Sequence, residues 1–359
     1  MEMATLSTAM NTPLAANHVA AGAKMGVWFG CALPDDFGDP ATEYSYARDT
    51  VALIDKNYRA HLSFSGPDRV RYLNAILTNN IKDLREGHGI VSLLLNPQGH
   101  ILAEIETYAF ADRLLCVSYA MIRQRLIEWL DKYIIMDDVT LTDETPLYGT
   151  LALEGPKAAA IVQELSRVDV TKFDDLSSHD AAIAAIPCRV VKRSPGGVPG
   201  AEIVTETGNL PALWQILSEP TRKHGGGPVG YAAMSGIRLA QGIPWFGYDF
   251  GEKQIPHEAG LQDSHISYTK GCYTGQEIVE RVRSRGQVNR QRVRLDFSSN
   301  VLPGPETPLT LDGKEVGYVT RAARAYEPPR IVGMCYLRKE AIMPGTVLHW
   351  AGGTATITR

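Results

Sequence analysis

The feature that most constrains the fold of this chain is a strand–turn–helix unit that occurs twice. Residues 61–65 alternate as a strand, and Ser65-Gly66-Pro67 then turns the chain into a helix with apolar residues at 70, 73, 76 and 77. The same order recurs at 150–153, at Glu154-Gly155-Pro156 and in a helix with an apolar face at 161, 162 and 165. The recurrence predicts two related α+β halves. The alternative is that it arises by chance, because Gly-Pro turns are common.

The rest of the chain supplies further strands and a third part. Residues 89–95 and 101–110 are predicted strands joined by a turn at 96–99, and a strand at 114–117 and a helix at 120–133 follow. From Arg290 onward the pattern is all-β, with a hairpin turn at Asp312-Gly313. A chain of 359 residues usually forms two or three domains, so a C-terminal barrel or sandwich fits as the last of them.

Composition excludes several classes of protein. The net charge of −4 argues against bulk nucleic-acid binding, although residues 281–294 carry six arginines and no acid. No apolar run approaches the roughly 18 residues of a membrane span. The five cysteines are scattered, without a CxxC pair, which indicates a reducing compartment rather than a disulfide framework or a zinc site. The N-terminus lacks a signal or transit peptide, so a cytoplasmic protein is expected.

The stretch KGCYTGQE, residues 270–277, carries the strongest local signal. Thr274 and Glu277 have the spacing of a capping box, and Tyr273 and Ile278 that of its hydrophobic staple. The spacing predicts a helix from about residue 275 to 285, with a Glu277–Arg281 pair on its surface. Gly286 is placed to end this helix.

Cys272 is the candidate reactive residue of this stretch. It precedes a predicted helix N-terminus and lies close to Lys270 in the sequence, a setting that favours the thiolate form. The alternative is an inert loop cysteine, since free cysteine is usually a buried hydrophobic residue.

The chain resembles the glycine-cleavage T-protein superfamily, and within it the YgfZ-type branch of folate-binding proteins that assist iron–sulfur enzymes. The segment KGCYTGQEIVER matches the branch signature K-G-C-Y-x-G-Q-E followed by a basic residue four positions on. The resemblance runs from about residue 43 to the C-terminus and includes SGPDRVRYL (65–73), TNN (78–80), LNPQGHILAEIETY (95–108), IRLAQGIP (237–244), IPHEAGL (255–261) and VGYVTRAA (316–323).

This resemblance implies an α+β fold of three domains in a cloverleaf, with two interleaved ferredoxin-like domains, a C-terminal β-barrel and folate in the central opening. The expected organisation is a weakly ordered leader at 1–40, a first folate-binding domain at 41–68 and 150–241, a second domain at 69–149 and 242–286, and the barrel at 287–359.

The resemblance also assigns individual residues. Glu104 matches the aspartate that lies near the folate nitrogen in T-proteins, where a carboxylate serves as general base or holds a pterin N–H; a half-exposed surface glutamate is the alternative. Arg238 matches an arginine beside folate. Phe246 stands where the family often has tyrosine. Two family glutamates are replaced, by Val198 and Ala240, which argues against T-protein catalysis.

The function implied is that of a folate-binding accessory protein in the maturation or repair of iron–sulfur proteins. Its cofactor is tetrahydrofolate or a one-carbon derivative, and its partners are iron–sulfur client or assembly proteins, with no membrane. Cys272, Lys270 and Glu104 are the expected catalytic residues. The expected folate-binding residues are Lys270, Gly271, Tyr273, Gln276, Arg238, Glu104, Tyr108 and Phe246; no metal site is encoded, because one cysteine cannot hold a cluster.

Two other functions remain open from the sequence. The first is a folate-dependent aminomethyltransferase or related one-carbon enzyme, which Glu104 favours. The second is a non-catalytic module that docks RNA or an acidic protein through residues 281–294, led by Arg281, Arg283 and Arg285. Arg292 and Arg294 alternate along a strand and are equally explained as a solvated barrel face, and no aromatic residues interleave the arginines.

Overall fold

The fold was analysed in a computed structural model, which describes residues 6–193, 195–286 and 288–358. The helices of this part are α1 (Ala15–Ala20), α2 (Pro40–Asp49), α3 (Arg69–Ile76), α4 (Arg123–Asp131), α5 (Ala158–Ser166), α6 (Leu210–Lys223), α7 (Tyr231–Ala240), α8 (Pro256–Ala259) and α9 (Gln276–Arg285). The strands are β1 (Met10–Asn11), β2 (Lys24–Trp28), β3 (Cys31–Asp36), β4 (Ala52–Asp55), β5 (Arg59–Ser65), β6 (Gly89–Leu95), β7 (Ile101–Ala109), β8 (Leu114–Tyr119), β9 (Thr140–Asp143), β10 (Tyr148–Glu154), β11 (Ser178–Ile183), β12 (Ile186–Lys192), β13 (Gly200–Glu206), β14 (Gly227–Pro228), β15 (Arg290–Ser298), β16 (Pro308–Leu311), β17 (Lys314–Tyr326), β18 (Pro329–Arg338), β19 (Val347–Trp350) and β20 (Gly353–Thr358).

The strands form three sheets and a closed barrel. One sheet has the order β11-β12-β13-β10-β4-β14, and another has the order β6-β7-β8-β5-β9. The barrel closes in the order β15-β18-β17-β16-β19-β20. Mixed α+β sheets followed by a C-terminal β-barrel confirm the predicted fold class.

Both predicted strand–turn–helix units are present. The first is β5 followed by α3, and the second is β10 followed by α5, with a Gly-Pro turn at residues 66–67 and 155–156. The predicted strand at 89–95 is β6 with the same bounds. In the barrel, Asp312 and Gly313 have φ values of 51° and 74°. Positive φ at both central positions is what a type I′ turn between β16 and β17 requires, so the hairpin prediction is confirmed.

The expectation of a weakly ordered leader is wrong for residues 6–40. Strands β1, β2 and β3 form a three-stranded sheet there, and α1 lies between β1 and β2. Leu14 is fully buried, and His18 Nε2 lies 2.7 Å from a carboxylate oxygen of Asp55. The hydroxyl of Thr12 donates to the same oxygen. These contacts to a distant residue order a segment whose composition alone gives little periodicity; residues 1–5 of the leader lie outside the described residues.

By compactness, the chain divides into two units, and the predicted domain boundaries stay a prediction. Unit 1 comprises residues 1–74, 80–91 and 105–234, and unit 2 comprises residues 75–79, 92–104 and 235–359. Strands β6 and β7 each run from one unit into the other. The barrel lies in the same compact unit as α8, α9 and the segment 92–104.

Each unit has its own hydrophobic core. In unit 1, α5 and α6 cover the sheet that contains β10, and Ile161, Leu213 and Trp214 are among the buried residues. In unit 2, inward-facing side chains such as Leu295, Val319 and Leu348 fill the barrel. Within the described residues, no helix combines the length and the apolar character needed to cross a membrane.

Candidate functional site

The KGCYTGQE loop packs against the turn between β6 and β7 in unit 2. A Cβ atom on Gly275 would lie 2.7 Å from the carbonyl oxygen of Asn96, and one on Gly99 would lie 3.0 Å from the Ile278 side chain. Gly275 has a φ of 83°, which only glycine adopts without strain. Two of the motifs in which the resemblance was seen therefore lie side by side, and glycine is required where they meet.

Helix α9 begins differently from the prediction. Its N-cap is Gly275, and no side chain caps the helix, so the predicted capping box of Thr274 and Glu277 is wrong. The close approach of the Asn96 carbonyl selects a left-handed glycine at this position. Glu277 instead accepts a hydrogen bond from Arg281 at 2.7 Å, as expected, and Gly286 ends the helix in a left-handed conformation.

Glu104 lies on β7 in contact with a histidine that the sequence did not single out. The distance from Glu104 Oε1 to His265 Nε2 is 2.9 Å, and the two side chains are 13% and 10% exposed. The Ser264 hydroxyl lies 2.7 Å from His265 Nδ1. Glu104 is therefore the first member of a hydrogen-bonded row of three side chains, with Ser264 at its exposed end.

Thr78 fixes the backbone of the segment that carries His265. Its buried hydroxyl donates to the His265 carbonyl at 2.7 Å and accepts from the Leu93 amide at 2.8 Å. The Thr78 carbonyl accepts from the Ser267 amide at 3.0 Å. Because Leu93 belongs to β6, the segment before the KGCYTGQE loop is held to a sheet strand by backbone groups, and the TNN motif has a structural role.

Lys270 is anchored to the same region. Its ammonium group donates to the Leu77 carbonyl and lies 5.1 Å from the centre of the Tyr273 ring. Burial lowers the pKa of Lys270 to about 8. The Tyr273 ring is buried, and its hydroxyl makes no hydrogen bond among the described residues. Lys270 and Tyr273 are thus in contact, and their assignment to a folate site stays a prediction.

Cys272 and its neighbours in the loop are open to solvent. Cys272 and Gly271 are exposed, whereas the cysteines at positions 31, 116, 188 and 335 are buried. Burial raises the pKa of Cys31 and of Cys116 to about 12 in each case. Gln276, the first residue of α9, is half-buried. Cys272 is the accessible thiol of the chain.

The burial of the Arg238 side chain disagrees with its expected role beside folate. The side chain is completely buried on α7, and its Nη1 donates to a carboxylate oxygen of Asp249. Its guanidinium lies 4.7 Å from the centre of the Trp245 ring. The Thr320 hydroxyl donates to the other oxygen of Asp249 at 2.7 Å. An arginine that is already neutralised in the core does not present its charge to a ligand carboxylate, so we correct this assignment.

Tyr108 and Phe246 are also buried. The Tyr108 hydroxyl donates to Glu106 at 2.8 Å, and Glu106 also accepts from Arg59 and Arg193. Phe246 packs edge-on against Phe250, with ring centres 5.7 Å apart. Neither ring has the exposed face that stacking on a pterin requires, so both expectations are corrected. Glu106, two residues from Glu104, is a structural carboxylate.

Val198 and Ala240 are the two positions at which the sequence was expected to depart from the T-protein pattern. Val198 is a buried residue of the loop before β13. The carbonyl of Ala240, at the end of α7, accepts a hydrogen bond from Arg294 at 2.7 Å. Both positions carry apolar side chains, and their departure from the T-protein pattern stays a prediction from the sequence.

The arginines of residues 281–294 form two groups with different surroundings. On α9, Arg281, Arg283 and Arg285 are exposed, and the Arg283 guanidinium lies 4.1 Å from the centre of the Tyr268 ring. On β15, Arg292 donates to the carbonyls of Ala259 and Gly242, at 2.9 Å and 3.1 Å. The alternative of a solvated barrel face is thus wrong for Arg292 and Arg294, which are half-buried and bonded to backbone groups. The exposed arginine surface is confined to α9.

Sequence reasoning missed His265, Thr78 and Asp249. His265 is separated from Glu104 by 161 positions, and no local spacing pairs them. Thr78 stands in the TNN motif, which was the one available signal. Among residues 6–193, 195–286 and 288–358, no group of three or more His, Cys, Asp or Glu side chains is arranged to hold a metal ion.

Comparison with known proteins defines the class of this fold. The structure superimposes on the glycine cleavage system aminomethyltransferase T from Bartonella henselae with a TM-score of 0.88 and 22% identity, covering 99% of this chain and 97% of that chain. At this identity the similarity establishes the fold. The predicted T-protein-like fold is confirmed.

The sequence comparisons identify the family. Residues 14–265 match the model described as the GCVT N-terminal domain, and the chain belongs to this family. An aminomethyltransferase of Moorella thermoacetica is 28% identical over 316 residues, which cover 88% of this chain and 86% of the relative. An aminomethyltransferase of Rubrobacter xylanophilus is 26% identical over 336 residues, which cover 93% and 88%.

Proposed function

We propose that this protein binds tetrahydrofolate or a one-carbon derivative and acts as an accessory factor in the maturation or repair of iron–sulfur proteins. The observation that carries the proposal is the arrangement in unit 2 of Glu104, Lys270 and the exposed Cys272. Glu104 is paired with His265, whose carbonyl Thr78 holds, and Lys270 donates to the Leu77 carbonyl. Cys272 follows Lys270 on the same loop. This arrangement combines a folate-type binding group with an accessible thiol.

The residues present fit part of a folate molecule. A reduced pterin offers N–H donors, for which the Glu104 carboxylate is a suitable acceptor. The glutamate tail is a dianion, for which Lys270 is a suitable partner below the pKa of about 8. Arg238, Tyr108 and Phe246 do not fit, because all three are buried in other contacts. Folate binding therefore rests on Glu104, Lys270 and the 270–276 loop, a set smaller than that of the T-protein pattern.

Cys272 is the residue that the accessory role requires. The chain resembles the YgfZ-type branch in the stretch KGCYTGQE, and the structure places the cysteine of this stretch in solvent. A cluster normally needs about four thiolates, of which one exposed cysteine supplies one. The other ligands of any cluster handled here would belong to the client protein, for which the cluster is cargo.

Arg281, Arg283 and Arg285 are the groups that would dock such a client. They project from α9 directly after the cysteine-bearing loop, and their charges suit an acidic protein surface. The ring of Tyr268 beneath Arg283 provides an apolar element in this surface. An RNA ligand would use the same charges, and its binding would show a steep salt dependence.

The experiment that tests the accessory role uses cells in which the gene for this protein is deleted. The activity of an iron–sulfur enzyme is measured after complementation with the wild type, with Cys272→Ala or with Thr269→Ala, an exposed change in the same segment. We expect the wild type and Thr269→Ala to restore activity and Cys272→Ala to fail at equal protein abundance. Full rescue by Cys272→Ala would contradict the role of the thiol.

A second candidate function is folate-dependent aminomethyl transfer. The named relatives are aminomethyltransferases, and the carboxylate of Glu104, supported by His265, is the observation in favour of it. The apolar residues at Val198 and Ala240 argue against it. A glycine-cleavage assay with a lipoyl carrier protein separates the two functions: turnover that is lost in Glu104→Gln would establish the transferase.

A further inference from the structure

The Glu104 carboxylate has a histidine partner whose ring is held on both nitrogens. His265 Nε2 lies 2.9 Å from Glu104 Oε1, and His265 Nδ1 lies 2.7 Å from the Ser264 hydroxyl. A carboxylate accepts hydrogen bonds only, so the Nε2–H of the ring donates to Glu104. Nδ1 is then the acceptor for the serine hydroxyl, which can rotate to donate. Glu104 therefore selects the Nε2-protonated tautomer of the ring, and the serine hydroxyl is compatible with it.

The backbone of His265 is fixed as firmly as its ring. Its carbonyl accepts from the Thr78 hydroxyl at 2.7 Å, and its amide donates to the Leu261 carbonyl at 3.0 Å. Both Glu104 and His265 are nearly buried, at 13% and 10% side-chain exposure. In such surroundings a charged carboxylate is costly unless a donor faces it, and rotation of either side chain would break the pair.

From this geometry we infer that His265 is a positioning residue for Glu104: it holds the carboxylate in one orientation, as the acceptor for an N–H group of a bound reduced pterin. The inference rests on the proposed folate binding and adds a residue to that site. Ser264 acts one step further out, because its hydroxyl can donate to Nδ1, the ring nitrogen that carries no proton when Nε2–H faces Glu104. A buried histidine paired to a ligand-binding carboxylate is a known means of fixing the direction of that group.

The arrangement also explains why the segment before the KGCYTGQE loop is tied so closely to Thr78. The same short backbone stretch bonds His265 through Thr78 and Lys270 through Leu77. Movement of this segment would therefore displace the partner of Glu104 and the cation that suits the folate tail at the same time. The two parts of the binding site are placed as one unit.

The test compares two substitutions, each of which keeps a nitrogen atom at the place of one of the two ring nitrogens of His265. In His265→Gln the amide nitrogen takes the place of Nε2 and still donates to Glu104. In His265→Asn the shorter amide reaches only the place of Nδ1, so the hydrogen bond from Nε2 to Glu104 is lost. By anaerobic calorimetry with tetrahydrofolate, we expect His265→Asn to weaken binding on the order of tenfold, as Glu104→Gln does, and His265→Gln to stay within about threefold of the wild type.

A control and a second readout make the result specific. His349→Gln, an exposed change on β19, is expected to leave the affinity unchanged. Independently of any ligand, ¹⁵N spectra of the histidine side chains are expected to show Nε2 of His265 protonated, with slow proton exchange that is lost in Glu104→Ala. An unprotonated Nε2, or equal affinities for His265→Asn and the wild type, would overturn the inference.

Failure of the inference and failure of the proposed function give different results. If the wild type binds tetrahydrofolate and His265→Asn binds equally well, folate binding stands and the positioning role falls. If the wild type does not bind, the proposed function falls, and with it the role of His265 in ligand binding. The ¹⁵N spectra then still decide whether the Glu104–His265 hydrogen bond exists.

Discussion

His265 Nε2 lies 2.9 Å from the Glu104 carboxylate, although the two residues are 161 positions apart in the sequence. One comes from strand β7 and the other from the segment that leads into the KGCYTGQE loop. The pair joins the carboxylate expected from the T-protein resemblance to the stretch that carries the cysteine signature. Both features therefore belong to one local arrangement in unit 2.

Gly275→Ala is expected to destabilise the protein by about 1–3 kcal/mol, because alanine at a φ of 83° is strained and its Cβ would lie 2.7 Å from the Asn96 carbonyl. Gly271→Ala is the matched control, since an added Cβ there has open space around it. The measurement is the free energy of unfolding in urea. Equal stability of the two variants would mean that the loop does not pack on the turn at 96–99.

We expect Glu106 to make the free energy of unfolding depend on pH in the acid range. Burial alone would raise the pKa of its carboxyl, but Arg193 and Arg59, with the Tyr108 hydroxyl, lower it to about 2. The ordinary pKa of a glutamate in an unfolded chain is about 4.3. The stabilisation that charged Glu106 contributes is therefore complete above about pH 4.3 and is lost as the pH falls towards about 2.

The variant Glu106→Gln measures this contribution. Its deficit in the free energy of unfolding relative to the wild type is expected to shrink by about 2 kcal/mol between about pH 5 and about pH 3. Glu315→Gln, an exposed change on β17, should show no such trend. A deficit for Glu106→Gln that is constant over this range would contradict the depressed pKa.

Arg238 is expected to act on stability rather than on ligand affinity. Arg238→Met leaves the buried Asp249 without its ion partner, which costs about 3–5 kcal/mol. The double variant Arg238→Met/Asp249→Asn should regain part of this loss, and Arg338→Met, an exposed control on β18, should have little effect. Thermal unfolding measures all of them. A stable Arg238→Met protein with selectively weakened folate binding would restore the role that the burial of Arg238 excludes.

Lys270 is expected to titrate separately from the exposed lysines. Burial lowers its pKa to about 8, so the side chain is a cation below that pH and neutral above it. Its partnership with the folate carboxylates should therefore weaken as the pH rises through about 8. Titration of ¹³C-dimethylated lysines by NMR measures this directly, with the exposed Lys314 as the reference. Titration of Lys270 together with Lys314 would contradict the burial of its ammonium group.

The parts of the fold that local patterns determine could be predicted from the sequence. Strand β6 follows from apolar periodicity, and the Asp312-Gly313 turn follows from its need for positive φ. The order of residues 6–40 could not be predicted, because it depends on contacts to a distant residue such as the His18–Asp55 contact. The capping of α9 was mispredicted because the approach of the Asn96 carbonyl outweighs the local preference for Thr274.

The candidate site was predictable to the extent that single residues carry the chemistry. Glu104, Lys270 and Cys272 were named from the sequence, and their roles stay predictions; in the structure the Glu104 side chain is 13% exposed, Lys270 is half-buried and Cys272 is exposed. Arg238 was misassigned because its sequence motif does not reveal that Asp249 neutralises it in the core. His265 was missed because a side chain that acts through a long-range hydrogen bond leaves no spacing signal.

Folate binding by this protein is tested most directly by an anaerobic calorimetric titration of the wild-type protein with tetrahydrofolate under reducing conditions. We expect saturable binding of tetrahydrofolate in the micromolar range at one site per chain, and we expect Glu104→Gln to weaken this binding. Absence of binding at neutral pH, by a protein shown to be folded, would contradict folate binding as the function of this site.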